Sequence, residues 1–324
     1  MANIKDLNDL YEFIKKHQTT KTETFDHHAD MGSKLPPILK IWGDFILEES
    51  LIHLPSKRGL GKSLLCLQIG LAVSNRYKEF LGFKIEKPGP VVYLDFEMSP
   101  STTSRRAFQL RKNAPSYDAK YAEDFIIYNT QKSFIDEFVN INQIIDKKRP
   151  VLVIIDNLVC ALSNTDTNNG VNMALLYSVL NGLKQYYGCT IVVIDHLRKH
   201  TDNKRSESDL QSGSGVKSNL SDADFMIRGS IQDISYRLLL RIKSRLVEES
   251  NTITLIKLNK LTLWFEFVEN DVNESDHLLG ECGDTEENKD KARHLYETGN
   301  TYRQIAKSLG KSPSTICRWL KIKE

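Results

Sequence analysis

His53-Leu54-Pro55-Ser56-Lys57-Arg58-Gly59-Leu60-Gly61-Lys62-Ser63-Leu64-Leu65 is the stretch on which the reading of this chain turns. An apolar run, a short glycine-bearing loop and a second apolar run predict a strand, a tight turn and a helix. The end of the loop, Gly61-Lys62-Ser63, carries the chemistry of a phosphate cradle. Successive backbone N–H groups and a helix N-terminus surround the phosphates, a lysine reaches the terminal ones and a hydroxyl holds Mg²⁺. The expected nucleotide-binding residues are Ser56, Lys57, Arg58, Gly59, Leu60, Gly61, Lys62, Ser63 and Leu64, with Ser63 also a metal ligand. One position departs from the pattern G-x-x-x-x-G-K-[ST], because Ser56 stands where the first glycine would be. A residue with a side chain there predicts that φ stays negative. Whether the loop is a nucleotide site then depends on the strands and acids downstream of it.

The 324 residues suffice for one large domain and a small one. With 40% hydrophobic and 27% charged residues, the composition is that of a soluble globular protein. No apolar run approaches the roughly 20 residues that span a membrane, and the polar start does not read as a signal peptide. No membrane partner is expected, therefore. Cys66, Cys160, Cys189, Cys282 and Cys317 are scattered, with no C-x-x-C pair. That argues for a reducing, cytoplasmic setting and against a disulfide framework or a zinc site. A net charge of only +2 means that any nucleic acid must be met by local basic patches.

Leu7, Leu10, Tyr11 and Ile14 fall at helical spacing, so a short amphipathic helix opens the chain and a polar arm follows it to residue 34. Such a helix either folds back on its own domain or docks on a neighbour. From Leu35, strands alternate with helices. Val91–Phe96, Phe125–Tyr128, Val151–Asp156 and Thr190–Asp195 read as strands, the last two buried on both faces. Helices are expected over 64–73, 101–112, 135–145 and 171–187. Further strands are expected around 225–228, 236–243, 252–258 and 263–268. This order predicts an α/β fold with a mostly parallel twisted sheet over 35–268. An acidic linker over 269–288 and a small all-α unit over 289–324 complete the chain.

Two acids close strands downstream of the loop. Asp156 ends an apolar strand, where a carboxylate holds Mg²⁺ through water. Glu97 follows the strand after the loop helix, at the edge facing the phosphates. There it serves either as a general base toward water or as an acid complementing the dipole of helix 101–112. Asp95, on the strand itself, reads as structural.

Taken together, Lys62, Ser63, Glu97, Asp156 and His196 after a later strand resemble the RecA-like ATPase core, in the branch of the DnaB and RepA hexameric helicases. The resemblance spans 35–268 and implies ATP and Mg²⁺ as ligands and a homo-oligomer, in that branch a hexamer. It makes Glu97 the catalytic glutamate and His196 the sensor of the γ-phosphate, within Asp195-His196-Leu197-Arg198-Lys199, similar to a His-x-x-Lys signature. Arg58-Gly59-Leu60-Gly61-Lys62 fits mobile-element members whose loop lacks the first glycine. Lys243 and Arg245 resemble the cations such rings insert into a neighbour's site. By their spacing alone they share one strand face, with Arg241, and belong either to solvent or to an anion.

The polar loop 199–214 holds Lys204 and Arg205 without an aromatic residue. The resemblance to RecA-like rings implies a grip on single-stranded DNA there, which these residues would make backbone-directed; the other reading is an ordinary mobile surface loop. Tyr302 through Leu320 places Ile305, Ala306 and Leu309 as one stripe, a turn at Gly310, and Ile316 and Leu320 on a second helix. This resembles the helix-turn-helix of resolvases and transposases. That resemblance makes Ser312, Ser314, Thr315 and Arg318 the candidates to face the major groove, with Lys311 near phosphate. The alternative for so small a helical unit is a protein-docking domain. The expected function is an ATP-dependent DNA-binding motor of helicase type, acting in replication or mobilisation of a mobile element. The alternative is an ATP-switched DNA-binding regulator or partner loader without helicase activity.

Overall fold

The computed structural model describes residues 6–16, 22–162, 170–197, 215–248, 252–277, 286–309 and 313–320. Lys204, Arg205, Lys311 and Ser312 lie outside the described residues, as does the Ser314 side chain. Two units divide the chain, one of Met1–Gly229 with Ser235–Val272, the other of Ser230–Ile234 with Asn273–Glu324.

Helix α1 (Leu7–Lys16) buries Leu7, Leu10 and Ile14 in the first unit's core, among residues of helix 170–187, so it folds back on its own domain. Helix α2 (Phe25–Gly32) forms inside the arm, capped by the Thr24 hydroxyl accepting from the His27 N–H, yet it buries no residue. Local capping makes it helical; its polarity keeps it out of the core. Two small hairpins, β1 (Lys40–Trp42) with β2 (Ile46–Leu47) and β4 (Glu79–Phe80) with β5 (Phe83–Lys84), meet around Trp42. The Trp42 ring stacks on Phe45 at 5.1 Å and meets Phe83 edge-on at 5.2 Å. Strands this short show no readable alternation, so sequence periodicity passes over them.

The framework is a nine-stranded sheet. Its strands are β3 (Leu51–Ser56), β6 (Val91–Asp95), β7 (Phe125–Asn129), β8 (Leu152–Asp156), β9 (Thr190–His196), β10 (Ala223–Gly229), β11 (Tyr236–Ser244), β12 (Ile253–Leu258) and β13 (Phe265–Asn270). They lie in the order β13-β12-β11-β10-β3-β9-β8-β6-β7. From β10 to β7 all neighbours are parallel; β11, β12 and β13 add an antiparallel extension. Helices α3 (Lys62–Ser74) and α4 (Pro100–Lys112) lie along the first half. Then come α5 (Phe138–Lys148), α6 (Leu158–Ala161), α7 (Gly170–Tyr187) and α8 (Gly215–Leu220). Helix α3 is apolar around its whole circumference and every residue from Leu64 to Ser74 is buried, as such a composition requires. It packs in the core on one sheet face, with Ile52, Leu54 and Tyr93. The other face is covered by α1, α5 and α7.

The register of β10 and β11 corrects one expectation. Asp224 pairs with Lys243 and Phe225 with Arg241, so β11 holds an extra residue at this point, a bulge. A bulge breaks the alternation of side chains. Arg241 therefore does not share the face of Lys243: its guanidinium donates to the Glu248 carbonyl and stands 3.9 Å from Asp44.

The second unit contains α9 (Glu274–His277), α10 (Glu286–Glu297), α11 (Tyr302–Ser308) and α12 (Pro313–Leu320). Ala292, Ile305, Ala306, Ile316 and Trp319 form its core, with Leu309 and Leu320 packed against it. Helix α11 begins with a capping box, Thr301 and Gln304 each satisfying the other's backbone N–H. Among the described residues, no helix is long and apolar enough to cross a membrane.

Candidate active site

The loop between β3 and α3 leaves the carboxyl end of a central strand, and Ser56, Asp156 and His196 end three strands that open on the same edge. Gly59 and Gly61 adopt φ of +80° and +92°, open to glycine and strained for other residues. At Gly61 a Cβ would also lie 2.9 Å from Phe265 Cζ, so backbone twist and close packing both demand glycine. Ser56 keeps a negative φ, as its side chain predicts. Its hydroxyl, however, is fully buried and donates to the Ile227 carbonyl of β10 at 2.7 Å. That hydroxyl is turned to the sheet and not to a phosphate position, which corrects the expectation of a phosphate contact from this side chain.

Lys62 is 4% exposed, and its amine donates to the Ser56 carbonyl at 2.7 Å and the Lys57 carbonyl at 3.0 Å. Burial pulls its pKa down to about 8, against Asp156, Asp195 and Glu97, which favour the charged form. Asp156 is wholly buried, and burial pushes its pKa up to about 6 although the Tyr93 phenol and the Ser63 hydroxyl work to lower it. Tyr93 donates to Asp156 Oδ2 at 2.5 Å, while Oδ1 has no hydrogen-bond partner. A buried carboxylate oxygen left open beside a serine hydroxyl fits a hard divalent cation, whose preferred ligands are oxygens. Among the described residues, no cluster of three His, Cys, Asp or Glu could hold a metal by itself. Mg²⁺ at this point would thus share Ser63 and Asp156 with nucleotide oxygens.

Glu97 sits just past β6, its side chain 40% exposed. Its Oε2 accepts from Asn157 Nδ2 at 2.6 Å, and the same nitrogen lies 3.2 Å from His196 Nε2. His196 Nε2 is 3.8 Å from Glu97 Oε1. The His196 imidazole, against burial and with the Asn157 amide, holds Glu97 below its ordinary pKa, so it is ionised at neutral pH. Sequence spacing does not single out Asn157, yet it joins the glutamate to the histidine. Its Oδ1 also caps α6 by accepting the Cys160 N–H at 3.0 Å. The only local signal for it is a capping residue ahead of a short apolar helix. Asp95 is structural: its carboxylate accepts the Glu97 and Met98 N–H groups, the Thr103 hydroxyl and the Asn129 amide. It thereby fixes the turn that presents Glu97.

A second buried group lies behind the loop. His53 Nε2 is 3.3 Å from Asp195 Oδ2, which also receives the Lys217 amine at 2.7 Å. Burial works to raise the Asp195 pKa, but His53 and Lys217 overcome it and hold the acid well below the usual carboxylate range. The sequence shows His53 and Asp195 only as polar residues in apolar strands. The register sets His53 opposite Val193 and Asp195 opposite Pro55, which makes the two diagonal neighbours on adjacent strands.

Lys243 and Arg245 engage α8 instead of the loop. The Lys243 amine donates to the Ser218 and Ser221 carbonyls, and Arg245 Nη2 donates to the Asn219 carbonyl at 2.6 Å. Arg245 remains 52% exposed at its side chain. In the second unit Arg318 is exposed and Thr315 half-buried on α12.

A family model described as AAA domain matches residues 17–202, and one described as Homeodomain-like domain matches residues 291–323. No curated protein matches the chain.

Proposed function

Because the chain belongs to the AAA domain family, of ATP-hydrolysing P-loop proteins, and adds a helix-turn-helix domain, we propose that it is an ATP-driven, ring-forming DNA motor of helicase type. In this reading it belongs to the DnaB and RepA branch and acts in replication or mobilisation of a mobile element, with a resolvase-like C-terminal domain. The observation that carries it is the Glu97–Asn157–His196 cluster beside the Lys62 loop. The Gly59–Leu64 amides and Lys62 hold the phosphates, and Lys57 and Arg58 line the start of the loop. When bound, Mg²⁺ held by Ser63 and Asp156 neutralises phosphate charge. Glu97, ionised and oriented by Asn157, accepts a proton from the attacking water. His196 then reads the terminal phosphate and returns its state to Glu97 through the same amide. Arg245, and with it Lys243 once released from α8, completes the site of a neighbouring subunit in a hexameric ring. Lys204 and Arg205 grip single-stranded DNA, while Lys311, Ser312, Ser314, Thr315 and Arg318 meet duplex DNA.

DNA-stimulated hydrolysis and separation of a tailed duplex test this reading. Glu97→Gln is expected to bind ATP as the unsubstituted protein does and to lose turnover by about 10²-fold or more. Retained turnover removes Glu97 from its role. A second reading is favoured by the helix-turn-helix match itself, since a sequence-reading domain addresses a protein to one site. There ATP switches assembly of a DNA-bound regulator or partner loader. ATPase activity without unwinding would select that reading.

A further inference from the structure

We propose that Arg237 is a positioning residue for the phosphate loop, holding the Leu60–Gly61 peptide so that the Gly61 N–H faces the phosphates. The inference rests on the reading of that loop as a nucleotide site. Arg237 lies on β11, opposite Gly229 of β10 in the antiparallel register, and is 7% exposed. Its Nε donates to the Leu60 carbonyl at 2.9 Å, and its Nη1 donates to its neighbour's carbonyl, Tyr236 O, at 2.8 Å. The second bond fixes the guanidinium plane, so the first is aimed and not incidental.

In a trans peptide the carbonyl and the following N–H point in opposite directions. Tying Leu60 O to Arg237 therefore turns the Gly61 N–H away from β11. The cation on the carbonyl oxygen also draws electron density from the peptide and makes that N–H a stronger donor. The left-handed φ of +92° at Gly61 leaves the next amides free to follow the same curve into α3.

The same rung holds Leu60 a second time. A Cβ at Gly229 would lie 3.3 Å from Leu60 Cδ2, so glycine there leaves room for the leucine side chain. Two residues earlier on β10, the Ile227 carbonyl accepts the Ser56 hydroxyl. The loop is thus fastened to the β10–β11 pair at its start and beside its final glycine. In a loop whose opening glycine is replaced by Ser56, these two fastenings hold the turn at both ends.

The test uses the full chain, a fluorescent ATP analogue with Mg²⁺, and thermal unfolding. Arg237→Ala is expected to bind the analogue about tenfold more weakly, with affinity recovered on adding low-millimolar guanidinium ion. Arg237→Lys, which keeps the charge and most of the volume without the planar pair of donors, is expected to show a similar loss. A structural role alone would leave affinity insensitive to added guanidinium. Unchanged affinity in Arg237→Ala overturns the proposal, and so does a lysine variant that binds like the unsubstituted protein. Should the alanine variant unfold, the lysine variant decides by the same criterion. If the unsubstituted protein itself binds no analogue, the nucleotide reading fails first and takes this proposal with it; if it binds, that reading stands whatever the variants do.

Discussion

Lys62 and Asp156 show how burial sets chemistry at the level of single residues. Each is desolvated, which disfavours its charged form; the Asp156 charge works to keep Lys62 protonated, while hydrogen bonds from Tyr93 and Ser63 work to keep Asp156 ionised. Phosphate binding needs the protonated lysine, and cation binding needs the ionised aspartate. With Asp156 ionising around pH 6 and Lys62 losing its proton around pH 8, kcat/KM for MgATP hydrolysis is expected to rise through the first value and fall through the second. The ratio reports the free protein, so added nucleotide does not mask the lysine limb. A flat profile from about pH 5 to about pH 9 would remove both titrations from the binding step. Glu97 contributes no limb in this window, because His196 and Asn157 keep its pKa low.

Among the elements, the loop from Ser56 to Gly61 separates two uses of glycine. Gly59 and Gly61 share a left-handed backbone, but a Cβ at Gly59 meets nothing within 4 Å, whereas at Gly61 it meets Phe265. Gly59→Ala should therefore carry backbone strain alone, about 1–2 kcal/mol. Gly61→Ala adds the displacement of a core phenylalanine and should weaken ATP binding by at least about tenfold more than Gly59→Ala. Titration of both variants with nucleotide checks this, and equal losses would show that Phe265 yields. Phe265 is held in turn: its N–H donates to Gln68 Oε1 at 2.9 Å, and Gln68 Nε2 donates to the Leu263 carbonyl at 2.8 Å. The antiparallel extension of the sheet is in this way tied to the helix that follows the loop.

For the whole molecule the question is how many chains make one site. Arg245 is exposed, while Lys243 is occupied by α8 carbonyls and has its pKa lowered, chiefly by burial and then by Arg245 beside it. An arginine that acts on a neighbour can be separated genetically from the site it serves. Arg245→Ala and Lys62→Ala chains should each lack turnover, and mixing them with ATP and Mg²⁺ should restore part of it at interfaces where Lys62 of one chain meets Arg245 of the other. No recovery on mixing would place Arg245 outside the neighbour's site.

What the linear chain determines here is whatever depends on local spacing. Apolar runs of five or six residues bounded by turn signals read as buried strands, so the main alternation of strands and helices from residue 51 to residue 196, apart from the short hairpin over 79–84, is legible in the chain. Gly61-Lys62-Ser63 carries its own phosphate chemistry, and Glu97, Asp156 and His196 are visible because each ends an apolar run. Tertiary structure decided what depends on register and on strand order. The bulge in β11 parts Arg241 from Lys243. The pairing of β3 with β9 joins His53 to Asp195. Asn157 becomes the bridge between Glu97 and His196 only because β6, β8 and β9 are neighbours. Arg237 reaches Leu60 across 177 residues of sequence. A hydrogen bond of that separation leaves no periodic trace in the chain, since it is made by the order of strands in the sheet and not by the residues on either side of it.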